Sequence, residues 1–177
     1  AMEFSQLYQR FGVEVTVLQR SSRVLSRMDH DISIEAQRIL EAEGVRFVGS
    51  AKVLRFEMHN GLKSCIVRTP AGIERYSADE ILCAVGRRPA IQTLNCELAG
   101  VRCDDGWVIV DSALRTTNPR IFAGGDVVGG PEVSNRQLVH VAVQHGEICG
   151  HNVFTNSPKQ FDGRLIPEAV FTDPAIG

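Results

Sequence analysis

Long hydrophobic runs are missing from this sequence, and none approaches the roughly 18 apolar residues of a membrane-spanning helix. The first residues also lack the basic, apolar and small-residue succession of a secretory signal. Charge of one sign is missing too. Nineteen Lys plus Arg stand against 21 Asp plus Glu, a net charge of −2, so there is no basic footprint for nucleic acid or an anionic membrane. The cysteines (Cys65, Cys83, Cys96, Cys103, Cys149) are odd in number and form neither C-x-x-C nor C-x-x-x-x-C. The nearest pair, Cys96 and Cys103, has six residues between, which fits neither a zinc knuckle nor a small redox ring. All five read as reduced thiols of a cytoplasmic protein, packed mostly as small apolar side chains. His140, His145 and His151 fall in one apparent helix, but offsets of five and eleven spread them around the cylinder, so no metal set is expected. What remains is ordinary for a folded chain: 177 residues, 44% hydrophobic and 23% charged, enough for one domain or slightly more.

The periodicities alternate between helix and strand. Phe4, Leu7, Tyr8 and Phe11 recur at i, i+3, i+4 and i+7 and stop at Gly12, which predicts an amphipathic helix. Val13–Leu18 is a β-branched run bounded by glycine and a polar stretch, and reads as a buried strand. Asp29 and Asp31 open a second helix carrying Ile32, Ala36, Ile39 and Leu40, closed by Gly44, and extended structure resumes at Val45–Val48. Lys52–Met58, Lys63–Thr69 and Ile73–Ser77, separated by His59-Asn60-Gly61 and Pro70-Ala71-Gly72, predict an antiparallel meander. Glu80–Val85 is nearly all apolar, the pattern of a parallel strand buried on both faces. Short strands follow at Trp107–Val110 and Ile121–Ala123, then a helix from about Arg136 to Phe154 with Leu138, Val141, Ala142, Ile148, Cys149 and Val153 on one side. Leu165–Phe171 starts a further strand. Strand, helix and strand in this order is α/β grammar.

The segment Arg120-Ile121-Phe122-Ala123-Gly124-Gly125-Asp126 carries the most chemical information. A strand delivers two glycines, which let backbone approach a ligand closely, and then a carboxylate able to accept hydrogen bonds from sugar-type hydroxyls. The Gly129-Gly130-Pro131 turn and the helix after it supply N–H groups at a helix start, a natural seat for a diphosphate or a polarised ring oxygen. Taken alone, Gly-Gly-Asp also suits a β-turn whose Asp caps its own loop.

Four motifs in order resemble the class I pyridine nucleotide-disulfide oxidoreductases, FAD flavoenzymes that include dihydrolipoyl dehydrogenase, glutathione reductase and mercuric reductase. Met2-Glu3-Phe4-Ser5-Gln6 with Phe11-Gly12 resembles the helix after the dinucleotide fingerprint. Ala84-Val85-Gly86-Arg87-Arg88-Pro89 resembles the strand-end motif of the nicotinamide domain. Thr116–Asp126 resembles the returning FAD segment, and Pro167–Pro174 the first strand of the dimer-interface domain. The resemblance implies an α/β, FAD/NAD(P)-binding Rossmann-like three-layer fold with an antiparallel β-meander, incomplete in this chain. It implies a NAD(P)-binding domain over 1–88, a returning FAD-binding segment over 89–158 and the start of a dimerisation domain over 159–177. By the same resemblance Asp126, with Gly125 before it, would hold the ribityl chain of FAD. Gln137, Leu138, Val139 and His140 would lie against the flavin, and Ala142 near the pyrimidine end of its ring. Gly86, beside Arg87, would pack against the nicotinamide cofactor, and Val53 would contact its adenine end. Glu132-Val133-Ser134-Asn135-Arg136 is longer than the family's usual segment before Gln137.

Nucleotide preference is argued from residues. In an NAD-binding unit the second strand usually ends in an acid that binds the ribose 2′-hydroxyl, whereas a nearby Arg suits a 2′-phosphate. Here the strand ends Val17-Leu18-Gln19-Arg20-Ser21-Ser22-Arg23. Gln19 takes the acid's place, Arg20 and Arg23 offer charge-assisted donors, and Ser21 and Ser22 offer hydroxyls. A solvated basic loop is the plainer alternative; the missing acid favours NADP(H) over NAD(H). No G-x-G-x-x-G occurs, nor any candidate for the family's redox cysteine pair or its His-Glu acid/base pair, so no catalytic residue is expected in these 177 residues. The expected function is part of an FAD-dependent NAD(P)H oxidoreductase acting on a disulfide, a dithiol or a metal ion, homodimeric and cytoplasmic, with no membrane or nucleic-acid partner, and not active as this segment alone. Two alternatives stand beside it: a flavin-dependent NAD(P)H oxidase or reductase without a redox disulfide, and a non-catalytic nucleotide-binding fragment.

Overall fold

The computed structural model describes residues 1–130, 133 and 136–177. It divides into two units, one made of Ala1–Ala84 with Glu168–Gly177 and the other of Val85–Pro167.

The first unit begins with α1 (Met2–Arg10), followed by β1 (Thr16–Leu18), α2 (His30–Ala42) and β2 (Arg46–Val48). Strands β1 and β2 pair in parallel, Thr16 opposite Arg46 and Leu18 opposite Val48, with α2 as the crossover. Helix α2 turns Ala36 and Leu40 onto the strands at the four-residue spacing of one helical face, and Leu40 is 2% exposed. These two residues form a core with Met2, Val24 and Val45; burying a leucine side chain of this kind contributes roughly 2 kcal/mol. Gly44 ends the α2 turn at φ +102°, a conformation glycine adopts without Cβ strain.

Helix α1 presents the opposite face from the one its periodicity predicts. Phe4, Leu7, Tyr8 and Phe11 are exposed, while Met2, Ser5 and Gln6 are buried. A polar network holds that inner face. The Ser5 hydroxyl donates to the Met2 carbonyl at 2.6 Å. The Gln6 amide nitrogen donates to Glu43 Oε1 at 2.9 Å and to the Asp173 carbonyl at 2.7 Å, and its oxygen accepts from the Asp173 N–H at 2.8 Å. With every group of the amide partnered, a buried Gln costs little, and the apolar stripe is left to the outside.

Strands β3 (Lys52–His59), β4 (Leu62–Thr69) and β5 (Gly72–Ala78) form the predicted meander in the order β3-β4-β5. Asn60 and Gly61 both have positive φ, 51° and 80°, the requirement of a two-residue type I′ turn, and His59 pairs with Leu62 across it. The central strand is the buried one, with Ser64, Cys65, Ile66 and Val67 all under 5% exposed. A bulge between Val53 and Arg55 shifts the register of β3.

The strand predicted over Glu80–Val85 does not form: these residues run without a ladder, with Leu82 60% and Val85 87% exposed. A parallel strand buried on both faces needs a neighbour on each side, and among the described residues none pairs with this segment.

In the second unit β6 (Cys103–Asp104) and β7 (Trp107–Ile109) form a short hairpin, and β7 pairs in parallel with β8 (Val128–Gly129). The strand expected at Ile121–Ala123 is reduced to one bridge between Arg115 and Phe122, and that expected at Leu165–Phe171 to one bridge between Val170 and Ile176. A single 3₁₀ turn, Gly125–Val127, precedes β8. Helix α3 (Val139–Phe154) then crosses a core built from Val108, Val110, Leu114, Val128, Val141, Ile148 and Phe161.

Candidate functional site

In the second unit the Gly-Gly-Asp turn is pressed against α3. A Cβ built on Gly124 would stand 2.9 Å from the Cβ of His145, and one on Gly125 would stand 3.3 Å from that of Ala142. Gly125 also has φ +74°, so both its conformation and its surroundings select glycine. The two glycines thus let the backbone of the turn approach helix α3 closely. His145 fixes the turn: its Nδ1 accepts the Gly125 N–H at 3.0 Å. That bond places the imidazole proton on Nε2, an atom buried without a hydrogen-bond partner among the described residues. The ring is 1% exposed and meets Phe161 edge-to-face, with centroids 4.3 Å apart. Burial pulls this imidazole below its ordinary range, so it stays neutral. Cys149, one turn further along α3, donates its thiol to the Ala123 carbonyl at 3.7 Å, and burial pushes that thiol up.

The clamp leaves Asp126 projecting from the turn, half exposed, with Arg87 Nη1 at 3.9 Å from one carboxylate oxygen. A pair this loose and exposed is worth well under about 1 kcal/mol and leaves the carboxylate open to other donors. Helix α3 starts at Val139 with Leu138 as N-cap, without a side-chain cap and without an acid in its first turn. Among the described residues, its first N–H groups therefore have no side-chain cap and can receive ligand oxygens. Val139 and His140 are exposed, Gln137 and Leu138 half-buried. Gly86 adopts φ +104° with open space where a Cβ would be. Gly125, Asp126, Arg87 and Ala142 are thus brought together around one turn. Of the long segment before Gln137, Pro131, Glu132, Ser134 and Asn135 lie outside the described residues.

In the first unit, the end of β1 is stapled to the segment entering β3. The Gln19 N–H donates to the Val48 carbonyl, the Ala51 N–H to the Gln19 carbonyl and the Ser50 N–H to the Ser21 carbonyl, each at 2.9 Å. This brings Gln19 and Ser21 to the base of the strand that carries Val53, which is 39% exposed. Gly49 is required there, since a Cβ on it would stand 2.6 Å from the Ser22 carbonyl oxygen. The loop that follows braces itself. Ser21 and Ser26 hydroxyls lie 3.3 Å apart, and Arg23 Nη2 donates to the Ser26 carbonyl at 3.3 Å. Arg23 Nη1 is buried without a partner among the described residues, while Arg20 is exposed. Beside Gln19 opens a cavity of about 310 Å³ lined also by Ala1, Met2, Glu3, Val24, Leu25 and Val170, within the size range of small-molecule sites.

Residues 1–146 match the family model described as pyridine nucleotide-disulphide oxidoreductase. The chain belongs to this family. Among curated family members, it is 33% identical over 177 residues to the mercuric reductase of Staphylococcus aureus, covering 99% of this chain and 31% of that protein. It is 30% identical to the dihydrolipoyl dehydrogenase of Bacillus subtilis, covering 98% and 36%. Among solved structures, the HOCl-induced flavoprotein disulfide reductase RclA of Escherichia coli superposes with a TM-score of 0.84 at 29% identity, covering 98% of this chain and 38% of that one. The fold is therefore the Rossmann-like one of these oxidoreductases, and the chain spans about a third of the length of the family members it matches.

His145 is the residue that sequence reasoning passed over. In the sequence it stands out only by its company with His140 and His151. Its position three residues after Ala142 and four after Val141 places it on the inward stripe of α3, which is the signal that could have found it. The same stripe holds Asn152, whose amide donates to the Ala113 and Lys159 carbonyls, both at 2.9 Å, where the apolar pattern had put Val153, which is 54% exposed.

Proposed function

We propose that this chain is part of an FAD-dependent NAD(P)H oxidoreductase whose acceptor is a disulfide, a dithiol or a metal ion. The observation that carries the reading is the Gly124-Gly125-Asp126 turn clamped on α3, with its half-exposed carboxylate held only by a long pair to Arg87. On this reading Asp126, with Gly125, holds the ribityl hydroxyls. Gln137, Leu138, Val139 and His140 lie against the flavin and Ala142 near its pyrimidine end. Gly86, Arg87, Val53, Gln19, Arg20, Ser21 and Arg23 receive the pyridine nucleotide. The side chains and backbone present fit these groups: an open carboxylate accepts from hydroxyls, a helix start donates N–H groups to ring or phosphate oxygens, and a basic loop without an acid suits a 2′-phosphate. When bound, the flavin supplies the two-electron chemistry between nicotinamide and acceptor; the protein's part is to position and shield. His145 contributes by holding Asp126's turn at one height on α3, and it transfers no proton.

The division into a NAD(P)-binding part over 1–88, a flavin-binding segment over 89–158 and the opening of a dimerisation region over 159–177 belongs to the same proposal. So does a cytoplasmic homodimer acting on a small molecule or dithiol. The names of the mercuric reductases and dihydrolipoyl dehydrogenases it resembles support the choice of acceptor class. NADP(H) is favoured because Gln19 stands where an acid would repel the 2′-phosphate and because Arg20 is exposed beside it. In the enzyme containing this chain, Asp126→Ala is expected to lower bound flavin per polypeptide severalfold. Arg20→Glu is expected to raise the KM for NADPH more than that for NADH. Undiminished flavin in the first variant, or equal shifts in the second, would overturn the corresponding assignment.

A further inference from the structure

His145 moves no proton in the proposed chemistry, yet its own protonation state decides whether the Asp126 turn can stay seated. The ring is buried and its Nδ1 accepts the Gly125 N–H at 3.0 Å, so it serves the turn only while that nitrogen is bare. Its Nε2 is buried with no partner among the described residues, and Phe161 covers the ring with centroids 4.3 Å apart. A second proton would set Nδ1–H against the Gly125 N–H, donor facing donor, and would bury an uncompensated charge. The turn has little room to adjust. Gly125 is held at φ +74°, and a Cβ on Gly124 would stand 2.9 Å from that of His145. Gly125 leads directly into Asp126, so unseating its N–H also moves the carboxylate. The charged and titratable groups on the elements that meet the ring are these. On α3 stand Cys149, which donates to the Ala123 carbonyl, and the exposed His140 and Glu147. On the turn stands Asp126, paired loosely with Arg87; beside Phe161 stand Lys159 and Asp162, the latter held by Arg164. None of them bonds Nε2 to steady an imidazolium.

We propose that His145 is an acid-sensitive latch on flavin retention: when its Nδ1 takes up a proton the Gly125 bond is lost, the Asp126 turn leaves α3 and flavin is released. The proposal rests on the assignment of Asp126 to the ribityl chain. Burial holds the seated imidazole below its ordinary range, whereas in a released, solvated turn it titrates near the ordinary value of about 6.5. The released form therefore binds the proton more readily, so falling pH favours it and opposes flavin binding. At pH 5.5 a released ring is protonated about ten times for each time it is neutral, and at pH 7.5 the ratio is inverted. With the seated ring staying neutral, flavin affinity falls by up to about tenfold across this window, which lies above the ordinary carboxylate range.

The enzyme containing this chain, stripped of flavin and titrated with FAD at pH 7.5 and pH 5.5, is expected to show a Kd that rises severalfold, up to about tenfold, at the lower pH. His145→Asn offers an amide oxygen near the place of Nδ1 and cannot titrate. It is expected to keep the Kd of pH 7.5 at both values. His140 remains in both proteins, so its share of any slope is common to them. An equal rise in His145→Asn, or no rise in the native enzyme, would overturn the latch. A second measurement needs no variant and keeps the proposal exposed if His145→Asn fails to fold. Calorimetry of FAD binding to the native apoenzyme at pH 6, in two buffers of different ionisation enthalpy, is expected to show release of roughly half a proton or more per flavin. Binding without proton release would overturn the latch as well. Asp126→Ala at pH 7.5 tests the ribityl assignment alone, so failure of that reading is told apart from failure of the latch.

Discussion

A single imidazole holds the most informative turn of the molecule in place. His145 accepts from Gly125 through Nδ1 and presents its ring edge-to-face to Phe161, so replacing it by Phe keeps much of the volume but strands a backbone N–H. An unmet buried donor costs about 1–3 kcal/mol. His145→Phe also removes the unpartnered Nε2–H, so it is expected to lower the unfolding free energy from urea denaturation at neutral pH by about 1 kcal/mol, and an unchanged value would show that the turn is seated by other contacts. Legibility differed sharply between neighbours here. Gly124, Gly125 and Asp126 announced themselves as a motif, whereas His145 lay hidden, because a histidine on an apolar stripe carries no mark of what its nitrogen faces. Asp126's openness was readable from the residue type; its seat on α3 was not, since that depends on how closely the glycine backbone approaches a helix about 20 residues further along the chain.

At the level of elements, strands with local partners were read well and strands needing distant ones were not. The β3-β4-β5 meander follows from alternation and from Asn60-Gly61, both local signals. Glu80–Val85 has a stronger apolar pattern than any of them, yet forms no ladder among the described residues, because hydropathy records what a strand buries and not whether a neighbour exists. Helix α1 shows the converse failure: its period was right and its face inverted, with Gln6 bonded inward to Glu43 and Asp173 and the apolar stripe left exposed. Gln6→Ala is accordingly expected to destabilise the first unit by about 1 kcal/mol, since it removes the hydrogen bonds to Glu43 and to the Asp173 backbone. Leu7→Ala, on the exposed side, is expected to change little. Thermal melts of the two variants check the ranking, and a larger loss for Leu7→Ala would reverse the assignment of the inner face.

For the molecule as a whole, acidity is expected to act in two stages of known sign. His145 has its folded pKa held below the unfolded value of about 6.5, so the unfolded chain binds the extra proton first. Its contribution is present above that value and is lost as pH falls toward the lowered folded one. The carboxylates held down by arginines, Glu43 beside Arg10 and Asp162 beside Arg164 at about 2, give up their contribution only at lower pH, below the ordinary carboxylate range. Urea midpoints measured between pH 7.5 and 5.5 should therefore decline in the native chain and stay nearly flat in His145→Phe. A parallel decline in both would assign the slope to other groups.

The bonds between α1 and the 168–177 segment also have a mechanical consequence. Glu3 accepts the Phe171 N–H, Gln6 grips Asp173 through two bonds, and Arg10 pairs with the Asp173 carboxylate, so the first and last stretches of the chain are clasped within one unit. Tension applied between α1 and residues 168–177 is carried by this clasp first. Until it parts, residues 85–167 bear no load, and once it parts the force passes to the cores in series. The clasp is a fuse, a few hydrogen bonds wide, that decides whether a pull between these two segments reaches the Asp126 turn at all.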